Sequence, residues 1–413
     1  MSRLLRTGAL VAAALVSATT VAAPVWEEHL YAGRLPDAEQ TLTAQLAESP
    51  DDDTARFALG IVQTLRAVEL ASQSLHRHGW YAPASADVLQ LFGRGPVKLP
   101  VVTPSSEPPA VTYADIRALM QRLVTDLAAA DETLARVSDP AVAVRLCPGR
   151  IHLDLNGDGV ASDAESIWAI ATLALSDRAA APLALQTAAV RFDRADVEWF
   201  RGYGRLVRGL GESLLAHDFR EFFERTGHLL FARPVTPHDY LVGKGQPTSL
   251  EAAIVDIVTI LHLMRFSVCE PQRMTVALEH FETMLKHSRR MWELIDAETD
   301  DDAEWLPGPH QTGVFPGMRI TRPMVDAWRG FLEEAEALLA GRTLVPFWRD
   351  AGGRGVNLRR VFTEPREFDF ILWVQGTAAT PFLEEGHATS PDVWRRLGDV
   401  FEGRFLTYIT WIR

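Results

Sequence analysis

The sequence predicts a mostly α-helical protein. In several long stretches apolar residues recur every three or four positions, the spacing that places them along one face of a helix. One such face consists of Ile116, Leu119, Leu123 and Leu127. Thr112 precedes it at the position expected of a helix N-cap, and this helix is predicted to end near Val137. Further helices are predicted over residues 193–231, 250–269, 273–295 and 323–339. Residues 344–413 contain short apolar runs, such as 368–374, that fit either a strand pair or another helix.

Changes in composition divide the chain into four predicted segments. They are an export signal (1–23), helical hairpins (24–80), a proline-rich connector (81–110) and a larger, irregular helical-bundle domain (111–413). The 413 residues include 47% hydrophobic and 23% charged residues, which is typical of a globular protein. The formal charge is −13 and no Lys/Arg-rich run offsets it, so nucleic acid and anionic membranes are not expected as partners.

The first 23 residues have the three-part layout of a secretory signal peptide. A short basic segment, Met1–Arg6, precedes an apolar stretch from Ala9 to Val16, and small residues follow at 17–23. The alternative, a membrane anchor, needs about twenty apolar residues, and this run is shorter. We therefore expect an exported protein, periplasmic or extracellular, with no membrane span in the mature chain.

Residues 24–80 carry the spacing of a helical-hairpin repeat. Ala38 and Pro50 occupy the positions of a second-helix alanine and a closing proline, and Leu59-Gly60 falls where the next copy would begin. On these residues the segment resembles a tetratricopeptide repeat, whose period is 34 residues. The resemblance fades at Gln73, where a small residue is expected. It implies a helical surface that holds a protein or peptide partner.

The most specific pattern is the twelve-residue stretch from 154 to 165. Oxygen-bearing residues recur at the first, third, fifth, ninth and twelfth places, and Gly159 lies at the sixth, where the chain turns sharply. The pattern resembles an EF-hand loop, in which a hard cation, Ca²⁺, takes six to eight oxygen ligands. The implied calcium ligands are Asp154, Asn156, Asp158, Val160 (through its carbonyl), Ser162 and Glu165. The alternative is an Asx-rich turn without metal.

The flanks of this loop differ from those of a paired EF-hand. Pro148 and Gly149 end any helix just upstream, so residues 151–153 are predicted to be extended. On the other side, Ser162 and Glu165 have capping-box spacing before an apolar helix. The loop thus resembles the single calcium loops of secreted proteins. No second copy is expected at 296–301, because Asp301 stands where the glycine should be; that acidic run is predicted to be a solvated loop.

The two cysteines suit an oxidising compartment. Cys147 lies just before the calcium loop and Cys269 lies in a later predicted helix. A disulfide between them is one expectation, and two separate buried thiols are the other.

A second candidate site lies on the helix predicted over 193–231. Spacings of four, three and four align His217, Glu221, Glu224 and His228 along one side of a helix. Such His/Glu stripes present ligands to transition metals in helical bundles, and His280 and His287 on a neighbouring helix are candidates to face them. The alternative is a solvated face, because Phe219, Phe222 and Phe223 lie opposite.

Tryptophans divide into two predicted groups. The first is expected in the core: Trp168, Trp199, Trp292, Trp328 and Trp373. Trp305 lies with His310 in an acidic, proline-rich loop, where an exposed ring would stack on sugars or peptides.

The function predicted from these patterns is that of an exported, calcium-binding helical protein. The absence of a complete catalytic motif favours a non-enzymatic binding or scaffold protein in which calcium is a structural staple. The alternative is a metal-dependent enzyme that uses the His/Glu stripe.

Overall fold

The computed structural model describes residues 24–80, 105, 107–170, 184–243, 250–314, 319–349 and 353–400. The predicted export signal and nearly all of the predicted connector lie outside these ranges. Within them the protein is mostly helical, which confirms the predicted fold class. No helix in the described ranges has both the length and the apolar character needed to cross a bilayer.

The helices are named in chain order. They are α1 (Val25–Tyr31), α2 (Leu35–Glu48), α3 (Asp53–Arg77), α4 (Tyr113–Leu134), α5 (Ala184–Thr187), α6 (Arg194–Leu215), α7 (Arg220–Thr226), α8 (Leu250–Leu263), α9 (Gln272–Ala297), α10 (Arg322–Leu339), α11 (Leu358–Thr363), α12 (Phe370–Gln375) and α13 (Pro391–Val400).

Short strands join distant parts of the chain into small antiparallel sheets. The strands are β1 (Ala143–Leu146), β2 (Val190–Asp193), β3 (His217–Asp218), β4 (Arg265–Val268), β5 (Val345–Pro346), β6 (Arg354–Val356), β7 (Phe368–Asp369) and β8 (Leu383–Glu385). β1 pairs with β2, β4 lies between β3 and β7, and β6 lies between β5 and β8.

The N-terminal helices α1–α3 pack on one another and share a core with later segments. Ala38 and Phe57 are fully buried, and Gly60 lies so close to Leu134 of α4 that a side chain would overlap it. The same core includes residues of β1, β2, α6 and both flanks of the predicted calcium loop. The tetratricopeptide resemblance stays a prediction, because packing of this kind is common to helical hairpins.

Helix α4 begins as predicted. The Thr112 side chain accepts a hydrogen bond from the backbone N–H of Asp115, and the Asp115 carboxylate accepts one from the N–H of Thr112. This capping box satisfies two N–H groups that the first helical turn leaves without partners. The predicted apolar face is directed inward, with Ile116 and Leu127 buried.

A single helix was predicted over 193–231, but α6 ends at Leu215, so the prediction is wrong beyond that residue. α6 continues through its glycines, and two of these allow close approach of α9: a Cβ at Gly209 would lie 2.8 Å from the Phe281 ring. The helix ends where Arg117 of α4 donates hydrogen bonds to the carbonyls of Leu215 and His217. Those bonds satisfy carbonyls at the helix C-terminus, and the chain turns into β3.

The run 368–374 contains both a strand and a helix, since β7 leads directly into α12.

Of the expected core tryptophans, Trp292 and Trp328 are buried, and Trp168, Trp199 and Trp373 are half-buried. Trp305 is not an exposed stacking ring. It is half-buried, with its ring centroid 5.6 Å from that of Phe192 and 5.8 Å from that of Trp199.

Candidate metal sites

The predicted calcium loop is folded around its own carboxylates. The two side-chain oxygens of Asp154 accept hydrogen bonds from the N–H groups of Gly157 (2.8 Å) and Gly159 (3.0 Å). Both glycines have positive φ, +77° and +84°, which a residue with a Cβ rarely adopts. Asp158 Oδ1 accepts from the N–H of Val160 at 2.8 Å. Backbone N–H groups therefore hold the acidic side chains of the first and fifth positions inside the turn.

The twelfth position closes the loop. Glu165 Oε1 accepts a hydrogen bond from the N–H of Leu155 (3.0 Å), and Oε2 accepts from the N–H and hydroxyl of Ser162 (2.9 and 2.7 Å). Glu165 thus connects the second, ninth and twelfth residues. Val160 exposes 68% of its surface, as expected of a position that offers only its carbonyl.

A short antiparallel bridge joins the residues just before and just after the loop. His152 pairs with Ser166 in an antiparallel bridge, and Leu153 donates its N–H to the carbonyl of Glu165 at 3.1 Å. This confirms the predicted extended approach. The following helix does not start at Ser162: residues 163–165 form a 3₁₀ turn and the helix begins at Ile167, because Ser166 remains in the bridge.

Helix α3 holds the first loop residue from both sides of its backbone. Glu69 accepts a hydrogen bond from the N–H of Asp154 (2.8 Å), and Gln73 Nε2 donates to the Asp154 carbonyl (2.7 Å). Glu69 is 3% exposed. Burial, with Asp154 and Glu165 nearby, raises the pKa of the Glu69 carboxyl to about 7, against the opposing hydrogen bond from Asp154. One turn of α3 therefore fixes the start of the loop.

The turn between α1 and α2 contacts the same region. His152 Nδ1 donates to the carbonyl of Tyr31 at 3.0 Å, and the Tyr31 hydroxyl accepts from the N–H of Cys147 at 2.9 Å. Gly33 lies directly against Ala161. The predicted calcium loop is thus an interface between the N-terminal helices and the rest of the chain.

Replacing Gly33 by Ala is expected to lower the free energy of unfolding by about 1–3 kcal/mol. Gly33 has φ +69°, and an added Cβ would overlap the Ala161 side chain. Urea denaturation measures the change. The control is Gly330→Ala in α10, where an added Cβ meets nothing within 4 Å; it should stabilise the helix by about 0.5–1 kcal/mol. Equal effects of the two substitutions would contradict the described contact.

A second acidic group was not expected. It consists of Asp193, Glu298 and Glu304. Among the described residues, this is the one set of three acidic, His or Cys side chains whose ligand atoms all lie within 4.8 Å of one another. The loop carboxylates do not converge to that distance. Asp193 ends β2, Glu298 follows α9 within the acidic run 296–301, and Glu304 lies just beyond that run and is 3% exposed. The run 296–301 is mostly exposed, as predicted for a solvated loop, whereas residues 303–304 lie along β2, where Arg191 donates its N–H to the Ala303 carbonyl (3.2 Å).

Burial, with mutual repulsion added to it, disfavours the charged forms of this acidic trio. Burial raises the pKa of Glu298 and of Glu304 to about 7, and each is raised further by Asp193. Asp196 is buried alongside, and burial and Asp193 raise its pKa as well. The nearest cation, Arg191, lies 3.0 Å from Asp193 and so neutralises one charge. Protons or a divalent cation would relieve the remaining repulsion.

The predicted His/Glu stripe is not assembled. His217 lies in β3, Glu221 and Glu224 lie in α7, and His228 lies in a 3₁₀ turn over residues 227–229. His217 donates from Nδ1 to the Ser213 carbonyl (2.7 Å), and Glu221 pairs with Arg225 (3.0 Å). No single helix presents the four, so the geometric basis of the alternative enzyme site is gone.

The two later histidines face α6 instead. His287 Nδ1 lies 2.6 Å from Glu198 Oε2, and His280 Nδ1 lies 3.3 Å from a guanidinium nitrogen of Arg205. Both histidines are buried. Burial lowers the pKa of His280 to about 4, and Arg208 and Arg205 lower it further. These side chains belong to a buried charge network between α4, α6 and α9.

The centre of this network is Asp131 of α4. Its carboxylate accepts hydrogen bonds from three arginines of α6: Arg201 (2.9 Å), Arg205 (2.5 Å) and Arg208 (3.5 Å).

The cysteines form no disulfide; both are free thiols, but neither is buried, since Cys147 is half-buried and Cys269 is exposed. Cys147 Sγ lies 3.8 Å from the carbonyl of Thr187, whereas Cys269 Sγ lies 3.5 Å from that of Ala216. The two thiols contact different parts of the fold.

Comparison of the chain with protein-family models, curated proteins and solved structures finds no match. The candidate sites therefore depend on their own geometry and chemistry.

Proposed function

We propose that this is an exported calcium-binding helical protein whose calcium is a structural staple between the N-terminal helices and the larger helical domain. The observation that carries the proposal is the loop at 154–165, whose six ligand positions are all filled and whose first residue is held by α3. The proposed ligands are Asp154, Asn156, Asp158, Ser162, Glu165 and the carbonyl of Val160.

The donor set suits calcium by its chemistry. It consists of oxygens alone, three of them from carboxylates, in a short loop with glycines at its turns. Calcium prefers six to eight such ligands and accepts flexible geometry, whereas transition metals favour His and Cys. When bound, the ion would neutralise carboxylates that otherwise repel one another and the neighbouring Glu69.

The position of the loop, between α3 and the larger helical domain, supports a stabilising role for the ion. Any ligand that binds only the folded loop stabilises the folded state by mass action. Because Glu69 and Gln73 reach the loop from α3, that stabilisation extends to the N-terminal helices. The extended approach at 151–153 lacks the helix that a calcium sensor rotates on binding.

We further propose that the surface of α1–α3 binds a protein or peptide, in the periplasm or outside the cell. The resemblance of residues 24–80 to a helical-hairpin repeat supports the partner, and the layout of residues 1–23 supports export. A binding or scaffold role is favoured over catalysis, because the four residues of the alternative site are divided among three elements.

Calorimetric titration of the purified, chelator-treated protein with calcium tests the site. We expect one calcium per chain at this loop, and Glu165→Gln should weaken its binding roughly tenfold or more, because ligand charge sets affinity. The matched control is Asp163→Asn, which removes the same charge from the fully exposed tenth position, outside the ligand set. No calcium-dependent heat at millimolar concentration, or equal losses in both variants, would refute the assignment.

Gln73→Met should separate the staple from simple ion binding. The substitution keeps the length of the side chain but removes the donor to Asp154, so calcium affinity should fall about three- to tenfold. Calcium should also protect the amides of α3 from hydrogen exchange less than in the wild type. Gln63→Met is the control on the same helix, since Gln63 bonds Glu39 of α2 at 3.3 Å and does not bond the loop. Unchanged calcium protection in the Gln73 variant would argue against the staple.

A further inference from the structure

Two apolar cavities lie next to each other in the C-terminal half. The first has a volume of about 280 Å³ and is bounded by side chains of α6, α9 and α10 and by Leu358 of α11. Its one polar lining side chain, Ser288, accepts a hydrogen bond from Trp328 Nε1 at 3.1 Å. An engineered apolar cavity of about 150 Å³ in another protein stays dry and takes up benzene, so a cavity of this size and lining can hold an apolar ligand.

The second cavity has a volume of about 320 Å³ and lies between the two C-terminal sheets. Phe368, Trp373 and Phe382 contribute most of its aromatic wall, and Leu358 lines it as well. One leucine therefore borders both spaces. Either cavity alone is near the lower end of the roughly 300–1,000 Å³ typical of ligand pockets, and together they lie well inside that range.

Charged side chains occur at the second cavity alone. Glu367 is already paired, with one oxygen 2.6 Å from Arg265 Nε. Arg366 forms no hydrogen bond or ion pair with any described residue, and its guanidinium carbon lies 6.0 Å from the ring centroid of Phe382. Glu364 lies close enough for Arg366 to lower its pKa, but its carboxylate is already paired with Arg360 at 2.7 Å. An exposed guanidinium that forms no ion pair, at the edge of an apolar space, suits an anionic head group.

We propose that the two cavities form one binding site for a single-chain carboxylic amphiphile, such as a fatty acid. The carboxylate binds Arg366, and the chain passes Leu358, whose side chain rotates aside, to end in the first cavity. A saturated chain brings no polar atoms into an apolar space, whereas a peptide or sugar would bury polar groups without partners. The site is independent of the calcium loop and goes beyond the proposed function.

Calorimetric titration of delipidated protein with dodecanoate and, separately, with dodecanol tests the head-group assignment. Dodecanoate should bind the wild type, and Arg366→Gln should weaken it about tenfold while leaving dodecanol binding unchanged. Arg290→Gln is the control, because that exposed arginine pairs with Glu293 on α9. Absence of dodecanoate binding, or equal weakening of both ligands by Arg366→Gln, overturns the proposal.

Bromine quenching of tryptophan fluorescence tests the direction of the chain. Bromine at the chain terminus should quench Trp328 in the first cavity, and bromine next to the carboxylate should quench Trp373 in the second. Trp328→Phe and Trp373→Phe should each abolish one of the two signals. Ala335→Leu, which narrows the first cavity without removing core atoms, should weaken dodecanoate at least tenfold and spare octanoate. Quenching that does not depend on bromine position, or equal loss of both acids, refutes the arrangement.

Discussion

Asp131→Asn is expected to destabilise the protein by about 3–5 kcal/mol, the usual cost of removing one partner from a buried ion pair. Asp131 is 5% exposed and accepts from Arg201, Arg205 and Arg208 of α6. Asparagine preserves the volume but removes the carboxylate that, within the described ranges, all three guanidiniums contact.

Denaturant unfolding followed by circular dichroism measures this loss. Glu132→Gln is the matched control: it removes a carboxylate from the next, exposed residue of α4 and should change stability by less than about 0.5 kcal/mol. A loss below about 1 kcal/mol in the Asp131 variant would show that solvent satisfies the arginines.

Glu304→Gln is expected to stabilise the protein at pH 8 and to have little effect at pH 5. The folded pKa of Glu304 is about 7, above its ordinary value of 4.5. A carboxyl group with a raised folded pKa contributes stability that is complete below pH 4.5 and is lost as pH rises through 7. The glutamine does not titrate, so at pH 8 the variant should be more stable by up to about 3 kcal/mol.

The comparison is first made in chelator, by thermal or urea unfolding at both pH values. Repeating it in millimolar calcium or magnesium tests whether a cation binds the trio. Calcium at the loop should stabilise both proteins, so a cation at the trio should appear as a larger gain of stability at pH 8 in the wild type than in the Glu304 variant. The control is Glu293→Gln on α9, an exposed carboxylate paired with Arg290, for which no pH-dependent difference is expected. A Glu304 variant less stable than the wild type at pH 8 in chelator would contradict the repulsion described for the trio.

Periodicity and capping predicted much of the helical content. The Thr112 capping box and the apolar face of α4 are local signals, complete within four and twelve residues respectively, and the structure confirms them. The end of α6 at Leu215 is not local, because the donor to its last carbonyls, Arg117, lies 98 residues earlier. Hydrophobic spacing continues smoothly through that point, so the sequence alone predicted one long helix and, with it, a His/Glu stripe that does not form.

Of the candidate sites, too, the one formed by neighbouring residues was predictable and the one formed by distant residues was not. The loop at 154–165 is a contiguous pattern and was predicted from the chain alone, whereas the acidic trio unites residues from three separate segments. The burial of Glu69 could have been predicted from the sequence. It follows Leu65 and Val62 by four and seven residues on the inward face of α3, and an acidic residue in an apolar stripe indicates a buried partner. Its partner, the Asp154 amide, was not predictable without the fold.

The contacts between α3 and the loop also bear on the order in which the chain folds. The bonds of Glu69 and Gln73 to Asp154 span 85 and 81 residues, and those of Tyr31 to Cys147 and His152 span 116 and 121. Contacts of such high sequence separation close late and slow folding. Residues 24–80 therefore cannot reach their final packing until the loop has been synthesised. Helices α1–α3 must wait, incompletely buried, for a segment that leaves the ribosome after them.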